Sequence, residues 1–168
     1  MNPPSLDEFI AAAKEFCAFA QNDQRIRIDD LWKVRELLVR LIYHITAVDE
    51  APQGCDHDGE RPTQAEHVRV IQKCSEFPFN FYQVVFDPHD FETQDEPVTG
   101  MLADDLADIY RDLAEGLDNA SKGHLEEAYF DWSQSYQSHW ARHAVNALAA
   151  IEIYRTDQCI PIKPTPPD

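Results

Sequence analysis

The feature that most constrains this chain is a run of apolar residues, spaced at helical intervals, between positions 102 and 117. Six side chains fall within about 120° of one another on a helical wheel: Leu102, Leu106, Ile109, Tyr110, Leu113 and Leu117. Most of the stability of such a helix comes from packing its apolar face against other elements. The fold must therefore supply partners for this stripe.

Four other stretches have the same period and provide those partners. Apolar residues recur at helical spacing in the ranges 6–20, 31–45, 63–77 and 125–154. Thr63 and Glu66 form a capping-box pattern at the start of the third. The last would be about 45 Å long if straight, so we expect a bend between Gln134 and Ser138. We predict an all-α bundle of about five helices, centred on the second, fourth and fifth.

The segment between the third and fourth helices is less regular. Its first part, FNFYQVVF at 79–86, fits a strand and a helix equally well. Pro88 and Pro97 bracket the acidic part and favour an irregular connector, with Thr99 or Gly100 capping the next helix. The length of 168 residues suits one domain, which we place at 1–157, followed by a proline-rich tail at 158–168.

Charge and cysteine spacing exclude several classes of function. A net charge of −17 disfavours direct binding to nucleic acid or to an anionic membrane, because both would repel the chain. The four cysteines lack CxxC spacing, so neither a disulfide framework nor a zinc ribbon is indicated. The N-terminal residues lack the pattern of a signal peptide, and we expect a cytoplasmic location.

Much of the negative charge is concentrated in one stretch. Residues 86–119 contain eleven acidic residues and one basic residue, Arg111. We predict that the loop 87–97 and the edge of helix 101–117 bind a basic protein, which includes the option of mimicking nucleic acid before a DNA-binding protein. The loop residues assigned to this role are Asp87, Asp90, Glu92, Asp95 and Glu96.

An alternative function comes from two histidines on the last helix. His139 and His143 are four residues apart, a spacing that lets two imidazoles reach one ion. Asp105 and Asp108 lie on the edge of the fourth helix and complete a predicted site for zinc, manganese or iron. Such an ion with an open position would support hydrolysis. The competing interpretation is that these histidines only hydrogen-bond to acids across the helix interface.

Two further loop residues and several absent motifs bear on that site. His89 or Asp90 is a candidate additional ligand. The chain has no HExxH, no Glu-x-x-His pair, no glycine-rich phosphate loop and no GxSxG. The sequence therefore indicates no established catalytic motif and leaves the reaction open.

The acidic stretch and the histidine pair together carry a family likeness. The pattern DPHD, DDLADIYRDL and HWxRH resembles an uncharacterised bacterial family of small, acidic, helical proteins with a domain of unknown function. The likeness covers about 81–151, and Ala141 stands where a glycine is expected in that family. The resemblance implies an all-helical fold and brings no activity, cofactor or catalytic residue with it.

Overall fold

The computed structural model describes residues 6–47, 59–85, 87–92 and 96–160, and its architecture is all-α. The first three helices are α1 (Leu6–Gln21), α2 (Asp30–Ala47) and α3 (Gln64–Cys74). A two-stranded antiparallel sheet of β1 (Phe81–Val84) and β2 (Val98–Met101) follows.

The remaining helices carry His139, His143 and the aspartates that contact them. They are α4 (Leu102–Ser121), α5 (Leu125–Ser135) and α6 (Ala141–Asp157), and a π-helical turn, Tyr136–Trp140, joins α5 to α6 without a break. The predicted all-α fold of about five helices is confirmed, with the last helix interrupted by this turn. A π-turn adds a residue to the helical repeat and is frequent at functional sites.

Helix α4 is the centre of the bundle and packs against α1, α3, α5 and α6. We expected α2 to share this central position, but α2 packs mainly on α1 and α6. The reason lies in small residues on α4 outside the predicted stripe, because Ala103, Ala107 and Gly116 are also buried and let neighbours approach on several sides.

The contact between α4 and α5 depends on one glycine. A Cβ atom on Gly116 would lie 2.2 Å from Nε1 of the buried Trp132. That indole N–H donates to the carbonyl of Leu113, at 3.1 Å, and its ring meets Phe9 edge-on with centroids 5.0 Å apart. Gly123, with φ of 89°, follows the end of α4 and lets the chain turn into α5.

The sheet before α4 settles one open prediction and corrects another. The segment 79–86, which fitted a strand and a helix equally well, contains β1, which pairs with β2, and the expected caps Thr99 and Gly100 lie in β2. The described part of the acidic connector, 87–92 and 96–97, forms no helix or strand, as predicted. The start of α4 is instead held by Asn80, whose carbonyl accepts from Leu102 N–H and whose Oδ1 accepts from Ala103 N–H. A distant residue thus supplies the cap that local sequence does not.

Candidate metal centre

Three aspartates on one edge of α4 face histidines from two neighbouring helices. Asp105, Asp108 and Asp112 follow one another at intervals of three and four residues, which places them on one side of the helix. Their side chains are only 9%, 13% and 11% exposed, respectively. Buried carboxylates require partners, and here the partners are imidazoles, one guanidinium and one phenol.

The two histidines of the last helix are each held through the same nitrogen. His143 on α6 donates from Nδ1 to Asp105 Oδ1 at 2.7 Å. His139, in the π-turn, donates from Nδ1 to Asp112 Oδ2 at 2.6 Å. The two rings lie with centroids 4.7 Å apart. In the neutral form of each imidazole, Nδ1 carries the hydrogen shared with the carboxylate, so Nε2 has a lone pair for another ligand.

Asp108 lies between these rings and a third histidine. Its Oδ2 is 3.6 Å from His143 Nε2, while its Oδ1 accepts from His67 Nε2 at 3.2 Å and from Arg111 Nη2 at 3.0 Å. One ligand atom each from Asp108, His139 and His143 lies within 4.8 Å of the other two. For comparison, two ligands on a tetrahedral zinc ion stand roughly 3.4 Å apart.

The structure places the other predicted site residues differently. Asp105 accepts a hydrogen bond from His143 on one oxygen and from the Tyr82 hydroxyl on the other. It therefore orients a histidine. His89 and Asp90 are exposed and lie outside the three-residue group. Asp87, Glu92 and Glu96 are also exposed, whereas Asp95 lies outside the described residues.

Three residues of the centre were absent from the predicted ligand set. His67 on α3 is 8% exposed, and within the described part of the chain its Nδ1 has no hydrogen-bond partner. The buried residues of α3 are His67, Val70 and Cys74, so His67 belongs to the face that packs into the core. Asp112 falls only within the helix edge, 101–117, that was predicted to bind a basic protein.

The third residue is Tyr82, on β1, which connects the sheet to the centre. Its ring lies across Gly100 on the paired strand, where a Cβ atom would be 2.7 Å from Tyr82 Cζ. Glycine therefore leaves the space in which the phenol reaches Asp105. The sequence of 79–86 fitted a strand and a helix equally well and did not indicate the direction of this hydroxyl.

The environment shifts two pKa values at the centre. The hydrogen bond to the Asp105 carboxylate raises the pKa of His143 above its usual 6.5, although burial acts in the opposite direction. Burial, reinforced by the same carboxylate, raises the pKa of the Tyr82 phenol well above its ordinary value of 10.0. Tyr82 therefore remains a neutral donor to Asp105 at physiological pH.

Comparison with known proteins places the chain in a family without an assigned activity. A family model described as "Domain of unknown function (DUF5063)" matches residues 2–157. The chain belongs to this family. The predicted likeness to an uncharacterised family is thus confirmed, and the function of this DUF5063 protein is not established. A search of the curated proteins gives no significant match.

The fold also has a counterpart among solved structures. The crystal structure of protein BF1032 from Bacteroides fragilis is similar, with a TM-score of 0.69. The sequences are 16% identical, and the match covers 89% of this chain and 91% of that one. At this identity the likeness supports the fold alone. Within the described ranges, no helix is both long and apolar enough to cross a membrane.

Proposed function

We propose that this DUF5063 protein binds one divalent transition-metal ion through His139, His143 and Asp108 and uses it in a hydrolytic reaction. The observation that carries the proposal is that Asp112 and Asp105 each occupy Nδ1 of one histidine. Metal-binding histidines in proteins commonly donate their other ring N–H to a carboxylate, which fixes the ring and its tautomer. Asp105 and Asp112 are therefore orienting residues in this scheme.

The charges of the cluster support a dication. Asp105, Asp108 and Asp112 contribute three negative charges, and Arg111 is a permanent cation that contacts Asp108 at 3.0 Å and Asp112 at 3.9 Å. With neutral imidazoles, two negative charges remain in a region that is largely shielded from solvent. A divalent ion balances them, and the competing route to neutrality is protonation of two histidines.

The ligand set leaves room for chemistry at the ion. Two imidazoles and one carboxylate match catalytic zinc sites and the facial triads of non-haem iron, and manganese also accepts oxygen and imidazole ligands. Three protein ligands leave at least one position open, where the ion would supply Lewis acidity and a water of near-neutral pKa. His139 and His143 are 35% and 25% exposed, so a ligand can approach from their side.

The setting of this activity is part of the proposal. We assign it to a single helical domain at 1–157 that is distinct from the tail at 158–168. A cytoplasmic location is in keeping with four cysteines whose spacing fits no disulfide framework.

Metal binding is tested on untagged protein purified without chelators. Elemental analysis and calorimetric titration with Zn²⁺, Mn²⁺ and Fe²⁺ should give about one ion per chain. His139→Asn and His143→Asn should abolish binding, because the asparagine amide replaces Nδ1 but supplies nothing in place of Nε2. His89→Asn is the matched control and should bind as the wild type does.

A hydrolase assay then addresses the reaction. Loaded protein should cleave at least one member of a panel of carboxylic esters, amides and phosphoesters, and the two asparagine variants should not. Less than roughly a tenth of an equivalent of every ion, with no thermal shift on adding metal, would show that the histidines are only ion-paired with the aspartates.

We also propose that the acidic loop binds a basic protein, as a second function. The specific observation is Phe91, which is 87% exposed between two acids that are also exposed, Asp90 and Glu92. An apolar side chain within negative charge suits a partner that combines basic and apolar residues. The helix edge is less suited to this role, because Asp105, Asp108 and Asp112 are largely buried against histidines.

Salt-dependent capture of a partner tests the loop. Phe91→Ala and the combined neutralisation of Asp87, Asp90, Glu92, Asp95 and Glu96 should each release the partner. Neutralising Glu126 and Glu127 on α5 removes charge elsewhere and serves as the control. Unchanged capture by the loop variants would exclude this surface as the recognition site.

A further inference from the structure

An apolar groove runs along the face of α6 that carries His143. Its volume is about 490 Å³, within the range of small-molecule sites. Ala150 and Tyr154 line it and lie seven and eleven residues beyond His143, and both spacings return to nearly the same helical angle. His143 is not itself a lining residue, and the lining residue of α6 that comes first after it in the chain is Asn146, three residues on. From there the groove continues toward the end of the helix.

The opposite wall of the groove is connected to the centre. Tyr82 lines the groove and donates a hydrogen bond from its hydroxyl to Asp105, which in turn accepts one from His143. Phe79 lines it from the same side and stacks on Tyr154, with ring centroids 4.7 Å apart and an interplanar angle of 25°. This stacked pair joins the two walls of the groove.

Polar and charged groups are placed unevenly along the groove. Asn146 lies one turn beyond His143 and offers an amide on the histidine's side. Among the described lining residues, the one charged side chain is Asp157, at the other end of α6. A dication bound at the centre would balance the negative charge there and offer an open coordination position near this end, while the middle of the groove is apolar and the far end carries Asp157. An anionic or electron-rich group is therefore favoured only at the near end.

We propose that this groove binds the apolar acyl portion of a small ester or amide whose carbonyl group reaches the ion. The inference rests on the metal centre proposed above and specifies the substrate class of that same site. The near end accepts the carbonyl oxygen, and the apolar walls accept an aryl or alkyl chain. In the reaction, water adds to the carbonyl carbon, the C–O or C–N bond breaks, and the departing alcohol or amine takes up the water's proton.

The test uses three probes that separate the two sites. Acetohydroxamate carries a metal-binding head alone, a phenylbutyl hydroxamate adds an apolar acyl chain, and a phenylbutyl amide has the chain without a strong metal-binding head. With metal-loaded protein, the phenylbutyl hydroxamate should bind roughly tenfold to hundredfold more tightly than acetohydroxamate, because the groove buries its ring. Affinities are measured by calorimetry.

A groove-filling variant supplies the structural control. Ala149 is an exposed residue that lines the groove, so Ala149→Phe should fill the groove without disturbing the core. It should remove the advantage of the phenylbutyl hydroxamate and leave the affinities for metal and acetohydroxamate unchanged. Ala11→Phe, on an exposed face of α1, is the matched control and should retain the advantage.

The outcomes distinguish the two proposals. Metal binding with equal affinity for both hydroxamates, or an advantage that survives Ala149→Phe, overturns the groove assignment and leaves the metal centre standing. If no metal binds, the proposed function fails, and binding of the phenylbutyl amide then tests whether the groove accepts an apolar acyl chain. Binding of this amide that is lost in Ala149→Phe retains the groove as an apolar acyl site, whereas no binding overturns it.

Discussion

Gly116→Ala tests how closely α4 and α5 approach, and its effect depends on Trp132. The added Cβ would lie 2.2 Å from Nε1 and 2.4 Å from Cε2 of this fully buried indole. Such overpacking costs about 1–3 kcal/mol. Moving the ring also threatens its hydrogen bond to the Leu113 carbonyl, and a buried N–H left without a partner costs about 1–3 kcal/mol more.

One term opposes this loss. Alanine is favoured over glycine inside a helix by about 1 kcal/mol. The net destabilisation expected from Gly116→Ala is thus about 1–5 kcal/mol. A value near 3 kcal/mol would lower the melting temperature by roughly 6–12 °C in a protein of this size.

The same substitution in a Trp132→Phe background provides the internal control. Phenylalanine lacks the indole nitrogen and adjoining atoms that the new methyl group would meet. There, Gly116→Ala should be neutral or stabilising by up to about 1 kcal/mol, from helix propensity alone. Urea unfolding of the four proteins gives both values and their coupling. If Gly116→Ala stabilises the wild type, or costs the same in both backgrounds, the proposed contact does not control this interface.

Three further predictions concern the site and the core. Asp105→Asn and Asp112→Asn should each weaken metal binding roughly 10-fold to 100-fold by calorimetry, while Asp104→Asn, on the same helix, should have little effect. In metal-free protein, the raised pKa of His143 means that its contribution to stability is complete below pH 6.5 and is lost as pH rises through the folded-state pKa. Urea unfolding measured across this pH range should show the loss of stability. The pH dependence should disappear in His143→Gln. Burial raises the pKa of the Cys17 and Cys74 thiols to about 12, so in native protein they should resist a thiol reagent that modifies the exposed Cys159; rapid modification of either buried thiol would contradict this.

The helices were predictable because their information is local. The stripe of α4 and the Thr63–Glu66 capping box are patterns within a few residues, and the structure contains both. The interruption expected at Gln134–Ser138 also has a counterpart, in the π-turn at Tyr136–Trp140. The length of the last helical pattern indicated an interruption, whereas the type of turn depends on packing.

The sheet and the cap of α4 were not predictable because they depend on distant residues. Four-residue strands carry little periodic signal, and the pairing of Tyr82 with Gly100 joins positions separated by the acidic loop. Asn80 caps a helix that begins more than twenty residues later. A search confined to neighbouring residues finds Thr99 and Gly100 first and assigns the cap to them.

The candidate site was partly visible in the sequence. Helical spacing placed His139 beside His143 and Asp105 beside Asp108, but it could not decide which carboxylate meets which nitrogen. The pairing depends on side-chain rotamers and on the register between α4 and the π-turn. In the structure, Asp105 contacts Nδ1 of His143 and Asp112 contacts Nδ1 of His139. His67 could have been found from its spacing to Val70 and Cys74, which puts it on the buried face of α3.

The most direct test of the central claim is an anomalous difference map from crystals of the metal-loaded protein, measured at the absorption edge of the bound ion. The proposal predicts one peak, with Nε2 of His139, Nε2 of His143 and a carboxylate oxygen of Asp108 at about 2.0–2.2 Å. Asp105 and Asp112 should remain on the two Nδ1 atoms. A map with no peak between these side chains, or with a peak bound through Nδ1, would contradict the proposal.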